Sequence, residues 1–281
     1  MNNKYRIDYK SSNFSNIISK LNEHGFIHIK NALPNDNLKS LDKNLISNHN
    51  LLRDLLGIPI NILPLCFSDN TSSSFENPIA FSKMKKEWYF NEDKQFKKWF
   101  WKNGNKFPNS LLKILLKHKI IDLLRQFFNS EILTSYGLNS LRIIDEYSEN
   151  NFSNIHQDMT YFSRSIEDHN FITVWIPFNN CGIDSPSLKI LKENVYNVLP
   201  CDKELSNRCI DKSYSEKLKI KDFYSPSYEI GDLVLFKSLK VHGTHLNPNM
   251  VKSRRSADLR FFSKLKQPRV LDRIDDDKIF L

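Results

Sequence analysis

Asn154-Ile155-His156-Gln157-Asp158 sets an imidazole and a carboxylate two residues apart. In an extended strand such residues point to one face, so His156 and Asp158 can offer both groups to a single ion. The pair is weak by itself, because a histidine followed two later by an aspartate is common among surface polar residues. A third donor lies further on. Gly231-Asp232 is a turn signal feeding the apolar run Leu233-Val234-Leu235-Phe236, after which the chain reaches Val241-His242-Gly243-Thr244 on a tight segment. Alone, His242 reads equally as a core histidine bonded to backbone. Taken jointly, two imidazoles and one carboxylate on adjacent strands form the set that holds Fe(II) on one face. The opposite positions stay open to a chelating cosubstrate and O2.

A counter-ion for such a cosubstrate is legible in Ser253-Arg254-Arg255-Ser256-Ala257-Asp258-Leu259-Arg260-Phe261. Alternation puts Arg254, Ser256, Asp258 and Arg260 on one side and Ala257, Leu259 and Phe261 on the other, a strand with one apolar face and one face toward a cavity. A guanidinium at Arg254 can pair bidentately with a dicarboxylate whose other end chelates the metal. Arg255 has the opposite parity and reads as a solvated surface cation, unless a bulge precedes it.

The elements that must carry these residues change character along the chain. A short helix over Phe14 to Leu21 closes at His24-Gly25 before the strand-like Phe26 to Ile29, and Pro34-Asn35-Asp36 caps a helix over Asn37 to Ile46. From Pro108 the apolar residues Leu111, Leu112, Leu115, Leu116, Ile120, Leu123, Leu124 and Phe127 recur at helical steps, which predicts one long helix with Asn109 or Ser110 as N-cap. After Ile132 the period shortens to about eight strands: Leu133–Tyr136, Leu141–Ile144, Phe152–Ile155, Phe171–Phe178, Ser187–Leu191, Asn197–Leu199, Leu233–Phe236 and Ser256–Phe262. Such spacing predicts a double-sheet sandwich or barrel, with the helices of residues 1–130 laid against it. The charged stretch Cys201 to Tyr228 lacks apolar periodicity and reads as an insertion or lid.

Composition narrows the function classes. Only 7 glycines occur in 281 residues, and no glycine-rich phosphate loop is present. The four cysteines, Cys66, Cys181, Cys201 and Cys209, have no zinc-like spacing and read as reduced structural residues. A formal charge of +9 could favour an anionic partner. The charge is spread out, however, and is interleaved with aromatic residues only in Lys83 to Lys102, which reads as a helical face or a site wall. No apolar stretch approaches a membrane span, so the expectation is a cytoplasmic protein.

The order HxD, then Trp175-Ile176-Pro177, then Gly-Asp followed by His-Gly-Thr, then an arginine twelve residues after that histidine, resembles the phytanoyl-CoA hydroxylase-like family of Fe(II)- and 2-oxoglutarate-dependent dioxygenases. Leu21-Asn22-Glu23-His24-Gly25-Phe26-Ile27-His28-Ile29 is similar to that family's opening, so the resemblance covers almost the whole chain. It implies a single dioxygenase domain over 1–281, mainly β with flanking helices (α+β), whose core over 131–265 is a double-stranded β-helix, or jelly roll. It also implies Fe(II) on His156, Asp158 and His242, 2-oxoglutarate on Arg254 with help from Thr244, and O2 as co-reactant. Trp175 suits either the cosubstrate pocket or the core, and Arg142 is a candidate second contact to 2-oxoglutarate. The carboxylate at Asp158 argues against a halogenase, because halogenating members lack that ligand. Substrate contacts are expected from Gln157, Tyr161, Arg260 and the lid. The segments His156–Tyr161 and Val174–Phe178 look like bacterial members of sugar or surface-polysaccharide pathways, which implies hydroxylation of a polar small molecule. Two other readings stand beside it: a binding protein with the same fold and no turnover, and an oxygenase of nucleic acid using Lys83 to Lys102.

Overall fold

A computed structural model describes residues 4–43, 106–135, 139–144, 155–161, 170–201, 209–267 and 278–281. Twelve strands are described: β1 (Arg6–Asp8), β2 (Phe26–Lys30), β3 (Ile132–Ser135), β4 (Ser140–Ile144), β5 (His156–Gln157), β6 (Phe171–Pro177), β7 (Ser187–Leu191), β8 (Phe223–Tyr224), β9 (Leu233–Lys237), β10 (Val241–His245), β11 (Arg254–Ser263) and β12 (Lys278–Phe280). Eight of them form a large sheet in the order β1-β2-β9-β6-β11-β3-β12, with β4 also pairing β11, and β5-β10-β7-β8 form a smaller one. Every pairing is antiparallel except β1 with β2.

Strand parity sorts the large sheet into two faces. Ile27, Ile29, Ile172, Val174, Ile176, Leu233, Leu235, Ala257, Leu259 and Phe261 point to the outer face. Helices α1 (Phe14–His24), α2 (35–43), α3 (Lys106–Lys117) and α4 (Ile120–Phe128) cover them with Ile17, Leu21, Leu38, Leu115, Ile121 and Leu124. The inner face carries Phe26, Trp175, Val234 and Phe236 against Leu188 and Ile190 of the small sheet. This is the sandwich expected of a jelly-roll core with helices on one side. Glycine is required at two joints. Gly25 (φ 72°) closes α1, and at Gly231 (φ 98°) a Cβ would lie 2.4 Å from Asn35 Oδ1 and 2.8 Å from the Leu33 carbonyl.

Several expectations need correction. The long helix from Pro108 is two helices, and α3 begins at Lys106, upstream of the expected caps. They break where Lys119 takes a left-handed φ of 60°, and the Tyr9 hydroxyl donates to the freed His118 carbonyl at 2.7 Å. Apolar periodicity runs on across the break, so nothing in the pattern signals it. Leu116, expected in the stripe, is exposed. α2 starts at residue 35 rather than 37. Asn197 to Leu199 is not a strand, and of the strand expected over Phe152–Ile155 only Ile155 lies among the described residues, just before the two-residue β5. His242 lies on a regular strand rather than a tight segment. Strands β1, β8 and β12 are too short to show alternation.

The stretch from Cys201 to Tyr228 is also corrected where it is described. Cys209 bridges His156, Ile210 bridges Cys201, β8 extends the small sheet, and Tyr228 is buried and bridged to Cys181. Ile210, Tyr214 and Leu218 pack with Val195 and Leu199 on Leu191 and Val241. Those last two residues have the opposite parity to Ile190 and His242, so residues 210–218 cover the outside of the small sheet, while Tyr224 and Tyr228 pack on its inner side with Trp175 and Leu188. The run Lys83 to Lys102 and Cys66 lie outside the described residues, while Cys181 is a free, buried thiol. Burial pushes the Cys181 thiol up to about 12, which suits an inert core residue. Among the described residues no helix is long and apolar enough to cross a membrane.

Candidate metal centre

The centre is assembled by one register. β5 pairs β10 with His156 directly opposite His242, so two imidazoles stand side by side on the inner face of the small sheet, ring centroids 4.2 Å apart. Asp158 reaches them from a different element than expected, because the strand stops at Gln157 and Asp158 opens a 3-10 turn, Asp158–Tyr161. Its Oδ1 lies 3.7 Å from His156 Nε2 and 3.6 Å from His242 Nε2. One ligand atom from each of the three residues falls within 4.8 Å of the others, and all three residues are buried.

Protonation states suit a cation. The His242 Nδ1 proton is donated to the Lys240 carbonyl at 2.8 Å, which leaves the Nε2 lone pair toward Asp158. Burial, reinforced by His156, pushes His242 down to about 4 and keeps it neutral at pH 7. Burial alone would raise the Asp158 carboxyl. The Arg260 guanidinium, with His156 and His242, outweighs that and holds the carboxyl well below the usual range. Asp158 is therefore an anion beside two imidazoles, a donor set that fits a divalent first-row metal such as Fe(II).

A cavity opens beside these ligands, lined by Trp175, Leu188, Gly243, Thr244, Arg254, Asp258 and Arg260 as well as both histidines. β11 brings Arg254, Asp258 and Arg260 to it on one face, as alternation predicts. Arg254 is buried, donates from one guanidinium nitrogen to the Ser187 carbonyl at 3.1 Å and lies 6.0 Å from the Trp175 ring centre. Arg255 faces away. It is not the solvated cation expected but forks onto both Asp42 oxygens from α2, with side-chain exposures of 18% and 14%.

The remaining candidates separate. Thr244 and Trp175 line the cavity. Gln157 points elsewhere: its amide nitrogen donates to the carbonyls of Asn197 and Leu239, and its oxygen accepts from Leu199 N–H, which docks the loop after β7. Arg260 lines the cavity, yet its Nε and a terminal nitrogen donate to Asp158 Oδ2 at 3.2 Å and Oδ1 at 3.1 Å. Tyr161 ends the 3-10 turn, and Arg142 stands opposite Ser256 on β4, their side chains being outside the described set.

Sequence reasoning missed two groups. Thr173 donates to Asp158 Oδ2 at 2.6 Å, and the signal was present: a threonine two residues before Trp175 in an otherwise apolar strand. The Lys240 ammonium is buried and donates to the carbonyls of His24 (2.8 Å), Glu193 (3.0 Å) and Lys192 (3.3 Å) and to Asn194 Oδ1 (3.0 Å), tying the turn before His242 to the end of α1. No sequence pattern announces it.

No protein-family model and no curated protein sequence matches the chain. Solved structures do. The chain is similar to the non-heme monooxygenase ThoJ in its apo form (TM-score 0.55, 12% identity, 88% of this chain and 77% of that one). It is similar also to the non-heme alpha ketoglutarate dependent carbocyclase SnoK from nogalamycin biosynthesis (0.53, 10%, 90% and 85%). A third match is EctD from S. alaskensis with 2-oxoglutarate and 5-hydroxyectoine (0.52, 12%, 89% and 76%). At such identities the likeness establishes a shared fold.

Proposed function

We propose that the chain is an Fe(II)- and 2-oxoglutarate-dependent dioxygenase of the phytanoyl-CoA hydroxylase-like kind, hydroxylating an aliphatic C–H of a polar small molecule. The observation that carries this reading is the convergence of His156, Asp158 and His242 beside a cavity that also holds a buried arginine. Bound Fe(II) and 2-oxoglutarate would supply the oxidising chemistry, O2-dependent decarboxylation to succinate and CO2 coupled to hydroxylation.

The chain's own residues do the rest. His156, Asp158 and His242 would hold the ion on one face and leave the cavity side for exchangeable ligands. Arg254, deep in the cavity, would pair with the distal carboxylate of 2-oxoglutarate, and the Thr244 hydroxyl lines the same wall on the strand that carries His242. Trp175 and Leu188 keep that end apolar, which strengthens a charge-assisted bond there. That two of the similar structures are described as alpha ketoglutarate dependent or as holding 2-oxoglutarate supports the cosubstrate. A sugar or surface-carbohydrate precursor as the molecule oxidised rests on the resemblance of His156–Tyr161 and Val174–Phe178 alone.

Succinate release from 2-oxoglutarate by purified protein with Fe(II), run across a panel of polar metabolites, is the test. Turnover should depend on one class of metabolite and vanish in His156→Ala, Asp158→Ala and His242→Ala. Full turnover by Asp158→Ala would overturn the assignment.

A further inference from the structure

The cavity gives Arg260 two possible duties, toward a substrate or toward the metal ligand beneath it. We propose that Arg260 is a positioning residue of the metal centre: with the Thr173 hydroxyl it fixes the Asp158 carboxylate so that Oδ1 alone faces the two imidazoles. This deepens the proposed function and rests on it.

Three observations carry the assignment. The first is the fork itself. Nε and a terminal nitrogen of Arg260 address the two oxygens of one carboxylate at 3.2 and 3.1 Å, and Thr173 adds a short bond to Oδ2 at 2.6 Å. Oδ2 therefore accepts two hydrogen bonds on the side away from the histidines. Oδ1 is the oxygen nearest both Nε2 atoms, at 3.7 and 3.6 Å.

The second is that Arg260 sits on a fixed backbone. β11 pairs β4 through Asp258 and then pairs β3 from Phe261, so residues 259–260 fall where it changes partner on that edge. Side chains supply the missing pairing: Asn139 Oδ1 accepts the Arg260 N–H at 2.9 Å, and the Thr134 hydroxyl donates to the Arg260 carbonyl at 2.7 Å. Thr134 and Asn139 are themselves buried and bonded to each other. A side chain used only to meet a variable ligand would need no such anchoring.

The third is charge. Asp158 is fully buried, and an anion so placed needs a cation in contact. Arg260 supplies it in direct contact. Both a guanidinium and a divalent ion on one carboxylate repel each other, which weakens binding. Losing the guanidinium does more harm, because the carboxylate is then free to turn both oxygens onto the imidazoles, and outer contacts that orient a ligand are worth about 10–100-fold in metal affinity.

Anaerobic titration with Co(II), read by affinity and by the visible d–d spectrum, tests this on the full chain. Wild type should bind one Co(II), with binding lost in His242→Ala. Arg260→Met should bind about 10–100-fold more weakly, with a spectrum shifted toward higher coordination number as the second carboxylate oxygen is released. Arg260→Lys should regain part of the affinity without the wild-type spectrum, and Thr173→Val should shift the spectrum the same way by less. Wild-type affinity and spectrum in Arg260→Met would return Arg260 to the substrate. Should that variant not fold, unchanged spectra in both Arg260→Lys and Thr173→Val overturn the proposal equally. If wild type takes up no Co(II), the metal reading fails and this inference with it.

Discussion

Replacing Lys240 by methionine keeps the length and apolar stem of the side chain and removes only the ammonium. Four oxygens lie within 3.3 Å of that nitrogen: the carbonyls of His24, Lys192 and Glu193, and Asn194 Oδ1. An ammonium has three protons, so at most three strong bonds are lost. The Lys192 contact, the longest, is the one to discount. The His24 bond is the only one of the four that is wholly buried, and its loss strands a helix-end carbonyl at a cost of about 1–3 kcal/mol. The loop oxygens at Glu193 and Asn194 can turn toward water, which reduces their share to about 0.5–1.5 kcal/mol each. Return of a desolvated charge to water offsets part of this. The net expectation is a destabilisation of about 2–4 kcal/mol by urea unfolding. Asn194→Ala in a double-mutant cycle with Lys240→Met should show a coupling of about 0.5–3 kcal/mol. A loss below about 0.5 kcal/mol, the range of ordinary surface changes, would refute the view that this lysine ties the β9–β10 turn to α1.

Other expectations follow from the same geometry. His28 is buried between the Tyr224 hydroxyl and Asp232, and burial lowers its pKa below the ordinary 6.5 despite the carboxylate. The unfolded chain takes up a proton below pH 6.5 where folded His28 does not, so stability is full above that pH and lost as pH falls through it. Unfolding free energies between pH 7.5 and 5 should fall less steeply in His28→Gln than in wild type, by up to about 1.4 kcal/mol per pH unit, and equal slopes would contradict it. Arg254→Ala should raise the 2-oxoglutarate requirement at least about tenfold, the loss of a buried charge-assisted partner. Arg255→Ala should leave that requirement alone and cost about 1–2 kcal/mol of stability through Asp42, and a shifted cosubstrate KM in Arg255→Ala would reverse the assignment. Gly231→Ala, strained in φ and meeting Asn35 and the Leu33 carbonyl, should lower stability by about 1–3 kcal/mol, checked by thermal melts.

The parts of the fold legible in the sequence were those with enough residues to show a period. β11 spans ten residues, so its alternation separates Arg254 from Arg255 correctly, and Ser187–Leu191 is found to the residue. β5 has two residues and no period to read, so Asp158 reached its place by a 3-10 turn that parity along a strand cannot foresee. The break at Lys119 escaped because helical spacing carries on through it. Cys201 to Tyr228 misled for a different reason: its packing residues Ile210, Tyr214 and Leu218 serve an outer face one residue at a time, so their apolar content is diluted by charge. Within the centre, residue types were readable and contacts were not. Arg260 and Gln157 both resemble substrate residues on paper, and only the bonds they make to Asp158 and to backbone carbonyls distinguish them.

Pairing His156 opposite His242 makes the bite of the centre a property of β-sheet spacing. Directly facing residues on antiparallel strands sit about 4.5–5.5 Å apart at Cα whatever the sequence. Loops at either end can lengthen, shorten or change composition without altering the gap between the two imidazoles, whereas an inserted residue within β5 or β10 would move one of them to the opposite face. Changes around the rim of the sandwich are thereby decoupled from the spacing of the two imidazoles.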